Sequence, residues 1–369
     1  MPTRRRFTGL LVLLGLIAFG SSMTGSFWVV FLREVHSAPA PVIAALFGTA
    51  AFAAVVTSMA MTVRGSVPST PSIVAGIACI AGMQIALATL SGALVFALFA
   101  ILYGAYIPLF FLPWNTLFAS ETRAHDRAAK LAGFPLVVSV ATVAAPFVGG
   151  LVAGLRGFPA LFLLGAGVFA VAALFAIVTG RPSERVRLLW NHRLLGRETI
   201  VAYAAQGLID GVLWTSIPLI TLSFVSGEVE LGAVFSLFAL SGGVFAVLLG
   251  RWSDRIRRRK RFILLGVALS IPLAIAVGLA PNLLVFTAAN GALAATLAIA
   301  PTFVNVAVID RLEGEIGPLM QTREVILNLS RGTSSVGILI LFLLGVPVQL
   351  AILLVAAFLP FQALAERSV

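Results

Sequence analysis

Asp210 is a carboxylate in the middle of an apolar segment, where a charge is costly enough to indicate a functional role. The stretch 206–214 around it, QGLIDGVLW, contains no other ionisable side chain. Asp210 could take up and release a proton there, or it could attract a cation beside the indole rings of Trp28 and Trp214. A structural aspartate that is hydrogen-bonded between two helices is the remaining interpretation.

Arg331 is a second charged residue close to an apolar stretch. A helix that begins near Arg323 would place Arg331 about 12 Å further along its axis. Arg331 could then face the protein interior, pair with Asp310, or extend to the polar surface. The uncharged candidates have amide or aromatic side chains in apolar segments, and they are Gln206, Tyr103, Tyr106 and Asn290. Tyr103 and Tyr106 are three residues apart and therefore share one face of a helix.

Several kinds of catalytic site find no support in the sequence. His36, His125 and His192 are far apart along the chain, and Cys79 is its single cysteine. We therefore expect no metal site and no disulfide bond. The glycine-rich loop with a lysine that holds nucleotide phosphates is also absent from the sequence. We expect no catalytic residue and no cofactor.

The composition indicates what positions these residues. A soluble domain has roughly 45–50% apolar and about 25% charged residues, whereas this chain of 369 residues is 60% hydrophobic and 11% charged. Its mean hydropathy is +1.08. A window of about 19 residues predicts twelve membrane spans, near 8–32, 40–61, 72–91, 93–118, 131–154, 157–179, 199–224, 231–250, 262–280, 283–308, 325–345 and 347–365. The sequence thus predicts an all-α integral membrane protein without a separate soluble domain.

The net charge of +11 is explained by topology. With the N-terminus inside the cell, all of the 25 Lys and Arg residues except Arg33 and Arg156 fall on the cytoplasmic side. This distribution follows the positive-inside rule. We therefore expect a multi-pass protein of the cell membrane with both termini in the cytoplasm, and the basic residues do not indicate nucleic-acid binding.

The chain divides near its midpoint into two similar halves. Residues 181–197 form the longest polar connection, and we predict one six-helix bundle at 1–180 and another at 198–369. The segment Gly25–Trp28 resembles Gly211–Trp214, and Tyr103–Ala105 resembles Asn290–Ala292, at offsets that agree to one residue. Such internal symmetry is common in transporters.

A motif after the eighth predicted span carries a family resemblance. The segment Gly250–Arg261, GRWSDRIRRRKR, is similar to the loop signature Gly-x-x-x-Asp-Arg-x-Gly-Arg-Arg of the major facilitator superfamily, with Arg257 at the second glycine. The matching residues are Gly250, Asp254, Arg255, Arg258 and Arg259. The resemblance implies a conformational gate, in which Asp254 binds a neighbouring helix end and Arg311. The equivalent loop of the first half, 62–68, lacks both the aspartate and the basic run.

The fifth predicted span contains a second motif. Pro146, Gly149 and Gly150 are similar to the Gly-Pro-x-x-Gly-Gly core found in exporters of that superfamily. Small residues allow helices to approach closely, and a proline weakens the helical hydrogen bonds so that the helix can bend. Close packing in any membrane bundle would explain the same residues.

The resemblance implies two pseudo-symmetric six-helix bundles around a central cavity, lined by spans one, four, seven and ten. It implies a secondary transporter that works by alternating access, acts as a monomer, and has the lipid bilayer, a small-molecule substrate and protons as partners. The sparse polar lining favours proton- or ion-coupled export of a small lipophilic or amphipathic compound. Uptake of a neutral solute such as a sugar is the alternative, and a non-transporting sensor or a membrane enzyme would be another class.

Overall fold

The computed structural model describes residues 2–121, 127–181, 183–253 and 259–364, and helices form most of this part of the chain. The helices are α1 (Pro2–Glu34), α2 (Ala40–Val63), α3 (Ser69–Thr89), α4 (Ala93–Glu121), α5 (Arg127–Thr179), α6 (Arg197–Leu222), α7 (Glu228–Ser253), α8 (Arg259–Gly278), α9 (Leu283–Leu297), α10 (Ile299–Arg311), α11 (Ile316–Leu343), α12 (Val348–Ala351) and α13 (Leu353–Ala363). Two 3₁₀ turns lie at His192–Leu194 and Glu313–Glu315.

The helices have the length and composition of membrane spans. In the described ranges, nine helical segments are long and apolar enough to cross a bilayer, and Val348–Ala363 is a shorter apolar segment. Gly157, at φ 82°, breaks α5 into two arms that correspond to the fifth and sixth predicted spans. A helix satisfies its own backbone hydrogen bonds, as lipid requires. The predicted all-helical membrane fold is confirmed, and its helices are consistent with twelve spans.

Two short strands are an addition to the all-helical prediction. Strand β1 (Ser66–Pro68) follows α2, and β2 (Arg185–Arg187) lies in the central connection; the two pair antiparallel, with Val67 opposite Val186. The guanidinium of Arg185 also donates to Ser66 Oγ at 3.0 Å and to Ser66 O at 2.9 Å. Hydropathy did not predict this pairing because both segments are short and polar.

The strands belong to the end of the bundle at which α1 begins, here called the N-terminal face. Arg6 of α1 forms ion pairs there with Glu121 at the end of α4 and with Glu184 next to β2. Gly317, at the start of α11, packs against the backbone carbonyl of Arg187. The central connection is thereby attached to both halves of the chain.

The two glycines of the fifth-span motif lie at close helix contacts. Gly149 packs against the carbonyl of Met23 in α1. A Cβ atom on Gly150 would lie 2.5 Å from the carbonyl oxygen of Glu228 and 3.1 Å from Gly232 Cα, both in α7. The helix continues through Pro146, and the backbone N–H of Phe147 donates to Ser236 Oγ of α7 at 3.0 Å. These contacts fit the packing interpretation of the motif, and bending at Pro146 stays a prediction.

Replacement of Gly150 by alanine is expected to destabilise the protein. The added methyl group would force the α5 and α7 backbones apart, and such overpacking costs about 1–3 kcal/mol. Thermal unfolding of the purified protein in detergent measures this as a lower Tm. Gly167→Ala is the matched control, because nothing lies within 4 Å of a Cβ at that position. An equal Tm for the two variants would contradict the packing assignment.

Candidate functional site

The candidate site is a cavity of about 760 Å³ enclosed by α1, α2, α4, α6, α7, α9 and α11. Both halves of the chain contribute to its wall, and its volume lies within the roughly 300–1,000 Å³ of small-molecule sites. Most lining side chains are aromatic or aliphatic. The predicted residues that line it are Trp28, Tyr103, Tyr106, Trp214, Asn290 and Arg331.

Aromatic rings form a continuous wall across the junction of the halves. The ring centroids of Trp28 and Tyr103 are 5.0 Å apart, and those of Tyr103 and Trp214 are 6.0 Å apart. Tyr106 continues the row at 6.2 Å from Tyr103, and Phe47 lies 6.5 Å from Trp214. Trp28 and Trp214, which occupy matching positions in the predicted repeat, therefore meet at one tyrosine.

A partly buried ion pair lies at this wall. Nη2 of Arg331 in α11 donates to Asp210 Oδ2 in α6 at 2.7 Å, and Nε of Arg331 donates to the same oxygen at 3.2 Å. The guanidinium carbon also lies 4.7 Å from the centroid of the Trp214 ring. The side chains of Arg331 and Asp210 are 13% and 25% exposed, respectively. This site is thus shielded from bulk solvent, and such shielding strengthens a charge interaction.

Two glycines allow α6 and α11 to come close enough for this pair. Gly207 packs against the carbonyl of Leu327, and a Cβ on Gly211 would lie 3.1 Å from Arg331 Cα. The two glycines flank Asp210 and are four residues apart. This separation of small residues is common where membrane helices pack closely.

The structure resolves the alternatives for Arg331. The cation pairs with Asp210 and lines the cavity, so an extension to the polar surface does not describe it. Asp310 itself has a side chain outside the described residues. For Asp210, the predicted cation beside the Trp214 ring is in this structure the guanidinium of Arg331, and proton uptake by Asp210 stays a prediction.

Glu324 is a second carboxylate that the sequence analysis missed. It is buried, lines the cavity, accepts a hydrogen bond from Asn328 Nδ2 at 2.8 Å, and lies 4.0 Å from Arg331 Nη1. The predicted eleventh span began at residue 325, whereas α11 begins at Ile316. Polar residues lowered the local hydropathy there. Their spacing is nevertheless informative, because Glu324, Asn328 and Arg331 recur every three or four residues and hence share one helix face.

The remaining predicted residues do not line the cavity. Gln206 is half-buried one turn before Asp210, outside the cavity wall. The gate motif lies largely outside the described residues. Asp254, Arg255 and Arg258 are not described, and the surroundings of Gly250 and the side chain of Arg259 are not described either. Arg311 ends α10 and is exposed. Among the described residues, no group of three His, Cys, Asp or Glu could hold a metal ion.

Helices α2 and α11 connect the two halves along the cavity. Near the N-terminal face, Nε2 of Gln321 donates to Ser58 O at 2.7 Å, to Ser58 Oγ at 3.0 Å and to Thr62 Oγ1 at 2.6 Å. Further along the helices, a Cβ on Gly48 would lie 3.3 Å from Ser335 Cβ. The first and second halves of the chain are thus in contact at two levels of these helices.

Comparisons with known proteins agree with this architecture. The model of the Major Facilitator Superfamily matches residues 199–313. The whole chain resembles the crystal structure of the human organic anion transporter MFSD10 (TETRAN), with a TM-score of 0.68 and 15% identity over 99% of this chain and 100% of that one. It also resembles the major facilitator transporter FucP in the outward conformation, with a TM-score of 0.69, 12% identity and 98% of each chain covered. A comparison with curated protein sequences finds no significant match.

Proposed function

We propose that this chain is a secondary transporter of the major facilitator type, and that it exports a small lipophilic or amphipathic compound in exchange for protons. The observation that carries this proposal is the Asp210–Arg331 ion pair at the wall of an aromatic cavity shared by both halves. In the proposal the protein is a monomer of the cell membrane with both termini in the cytoplasm.

The charges around the pair support proton coupling. Arg331 lies beside two carboxylates, Asp210 at 2.7 Å and Glu324 at 4.0 Å, so these three groups carry one net negative charge when all are ionised. Tyr103 of α4 lies close enough to Arg331 and Asp210 to interact with their charges. A proton that binds a carboxylate oxygen of Asp210 removes the attraction to Arg331 and leaves the cation with Glu324 and Asn328. The contact between α6 and α11 would then change with each proton that binds and leaves.

The cavity wall supports a substrate with a large apolar surface. Trp28, Tyr103 and Trp214 present flat rings, and aromatic and aliphatic side chains outnumber the polar ones in the lining. A sugar site would need more amide and charged groups on the lining helices. The motif at Pro146, Gly149 and Gly150, which is similar to that of exporters, favours export over uptake. A protein described as an organic anion transporter has the same fold.

Flux measurements in inside-out vesicles and proteoliposomes test the proposed function. Purified protein is placed in liposomes that contain a pH-sensitive dye, which reports proton movement. A pH gradient should drive the movement of amphipathic fluorescent compounds, and a protonophore should stop it. In inside-out vesicles, export is seen as accumulation. Glu230→Gln, which changes an exposed carboxylate on α7, should leave both measurements unchanged. Flux equal to that of protein-free liposomes would reject the proposal, and flux of neutral sugars alone would favour uptake.

A further inference from the structure

Arg323 is a cation in the wall of the cavity. It lies on α11, two turns before Arg331, and its guanidinium carbon is 5.6 Å from the centroid of the Tyr203 ring. Its Nε atom is buried and makes no hydrogen bond. In the described part of the chain, no carboxylate forms an ion pair with it. A buried donor without an acceptor is costly, and an acceptor on a bound ligand would remove that cost.

The contrast with Arg331 shows that this arrangement is particular to Arg323. Arg331 donates to Asp210 and to Asn328, and its charge is also stabilised by the Trp214 ring. Glu324 is the chain neighbour of Arg323, but its carboxylate is held by Asn328 and lies 4.0 Å from Arg331. The carboxylates near the cavity are thus directed to Arg331. In the described ranges, the Tyr203 ring is the contact recorded for the guanidinium of Arg323.

The cavity provides a second, apolar contact at a defined distance from Arg323. Arg331 lies eight residues further along α11, which corresponds to about 12 Å, and aromatic rings from other helices lie near it. These rings are Trp28, Tyr103 and Trp214, and the buried Nε1 atom of Trp28 also makes no hydrogen bond. A ligand that satisfies both ends would have a flat aromatic body and an anionic group about 12 Å away.

We propose that Arg323 binds the anionic group of an aromatic organic acid, such as a carboxylate or sulfonate, whose ring system lies against Trp28, Tyr103 and Trp214. A planar guanidinium binds both oxygens of such a group through parallel hydrogen bonds. The proposal rests on the function proposed above in one respect, since it takes the central cavity as the substrate site. It narrows the substrate class from amphipathic compounds to organic anions.

Equilibrium binding of a matched pair of dyes tests the role of Arg323. Toluidinylnaphthalene sulfonate and toluidinylnaphthalene have the same aromatic body, and only the first has the anionic group. We expect the wild-type protein in detergent to bind the sulfonate more tightly, as a saturable fluorescence increase above that of empty micelles. Arg323→Gln should weaken sulfonate binding about tenfold or more, in line with hydrogen bonds to a charged group, and should leave binding of the neutral dye unchanged.

Two further variants make the outcome decisive. Arg323→Lys keeps the charge without the fork of donors and should retain part of the preference for the sulfonate. Arg156→Gln removes an exposed arginine and should bind both dyes as the wild type does. Equal losses for both dyes in Arg323→Gln, or no loss, would overturn the proposal. Because the assay requires no transport, an intact preference without proton-driven flux would reject the export function and retain the anion site.

Discussion

Asp210→Asn is expected to abolish proton-driven transport, with a loss of at least about tenfold, corresponding to roughly 1.4 kcal/mol of coupling free energy. The amide has nearly the same shape as the carboxyl group but cannot ionise, so α6 no longer carries a group that alternates between binding Arg331 and binding a proton. The rate of dye movement under a pH gradient in proteoliposomes measures the loss. Downhill movement without a gradient should persist.

A double variant separates coupling from stability. Loss of one partner of a fully buried pair costs about 3–5 kcal/mol, but Arg331 would still contact Asn328, Glu324 and Trp214. We therefore expect a smaller decrease in stability for Asp210→Asn. Asp210→Asn combined with Arg331→Gln should recover the Tm without recovering proton coupling. If Asp210→Asn transports as fast as Glu230→Gln, then Asp210 is structural and the coupling proposal fails.

A disulfide between α2 and α11 is expected to stop transport reversibly. In a Cys79→Ala background, which removes the native thiol, Gly48→Cys and Ser335→Cys would place two Cβ atoms about 3.3 Å apart, close to the usual roughly 3.5–4.5 Å of disulfides. The two helices belong to different halves of the chain. An oxidised bond would fix their contact and prevent the movement that alternating access needs.

Transport and thiol content are measured on the same sample. Oxidation should consume both thiols and reduce flux to the level of empty liposomes, and a reductant should restore it. The two single-cysteine variants should keep their flux through the same treatment. Undiminished flux in a sample without free thiols would show that this contact stays in place during transport, and that the halves do not move relative to each other there.

The sequence was most informative where lipid imposes a strict rule. Helices must be apolar and charges must be rare, so the spans and the position of Asp210 within one of them could be predicted from the pattern of apolar and charged residues. The repeat also matched Trp28 with Trp214, and the structure places both rings next to Tyr103. These two predictions depend on local pattern and on symmetry, and neither requires knowledge of how distant helices pack.

Arg323 and Glu324 were missed for the opposite reason. Hydropathy averages over a window, and the polar first turns of α11 resemble a loop in such an average. Their side chains face a cavity instead of lipid. The tertiary structure determines this orientation, and a hydropathy average does not contain it. The partner of Arg331 was open for the same reason, because Asp210 and Arg331 are far apart in the chain and come together only through the approach of α6 to α11 at Gly207 and Gly211.

The paired strands at the N-terminal face limit how the halves can move. β2 is bonded to β1 in the first half, while the backbone N–H of Asn191, a few residues later, donates to Thr322 Oγ1 of α11 at 3.1 Å. The covalent connection between the halves is therefore held to the first half at β2 and to the second half at Asn191, with few residues between these two attachments. We expect the halves to rotate about this connection. A given rotation would then open the far end of the cavity more widely than the end at the N-terminal face.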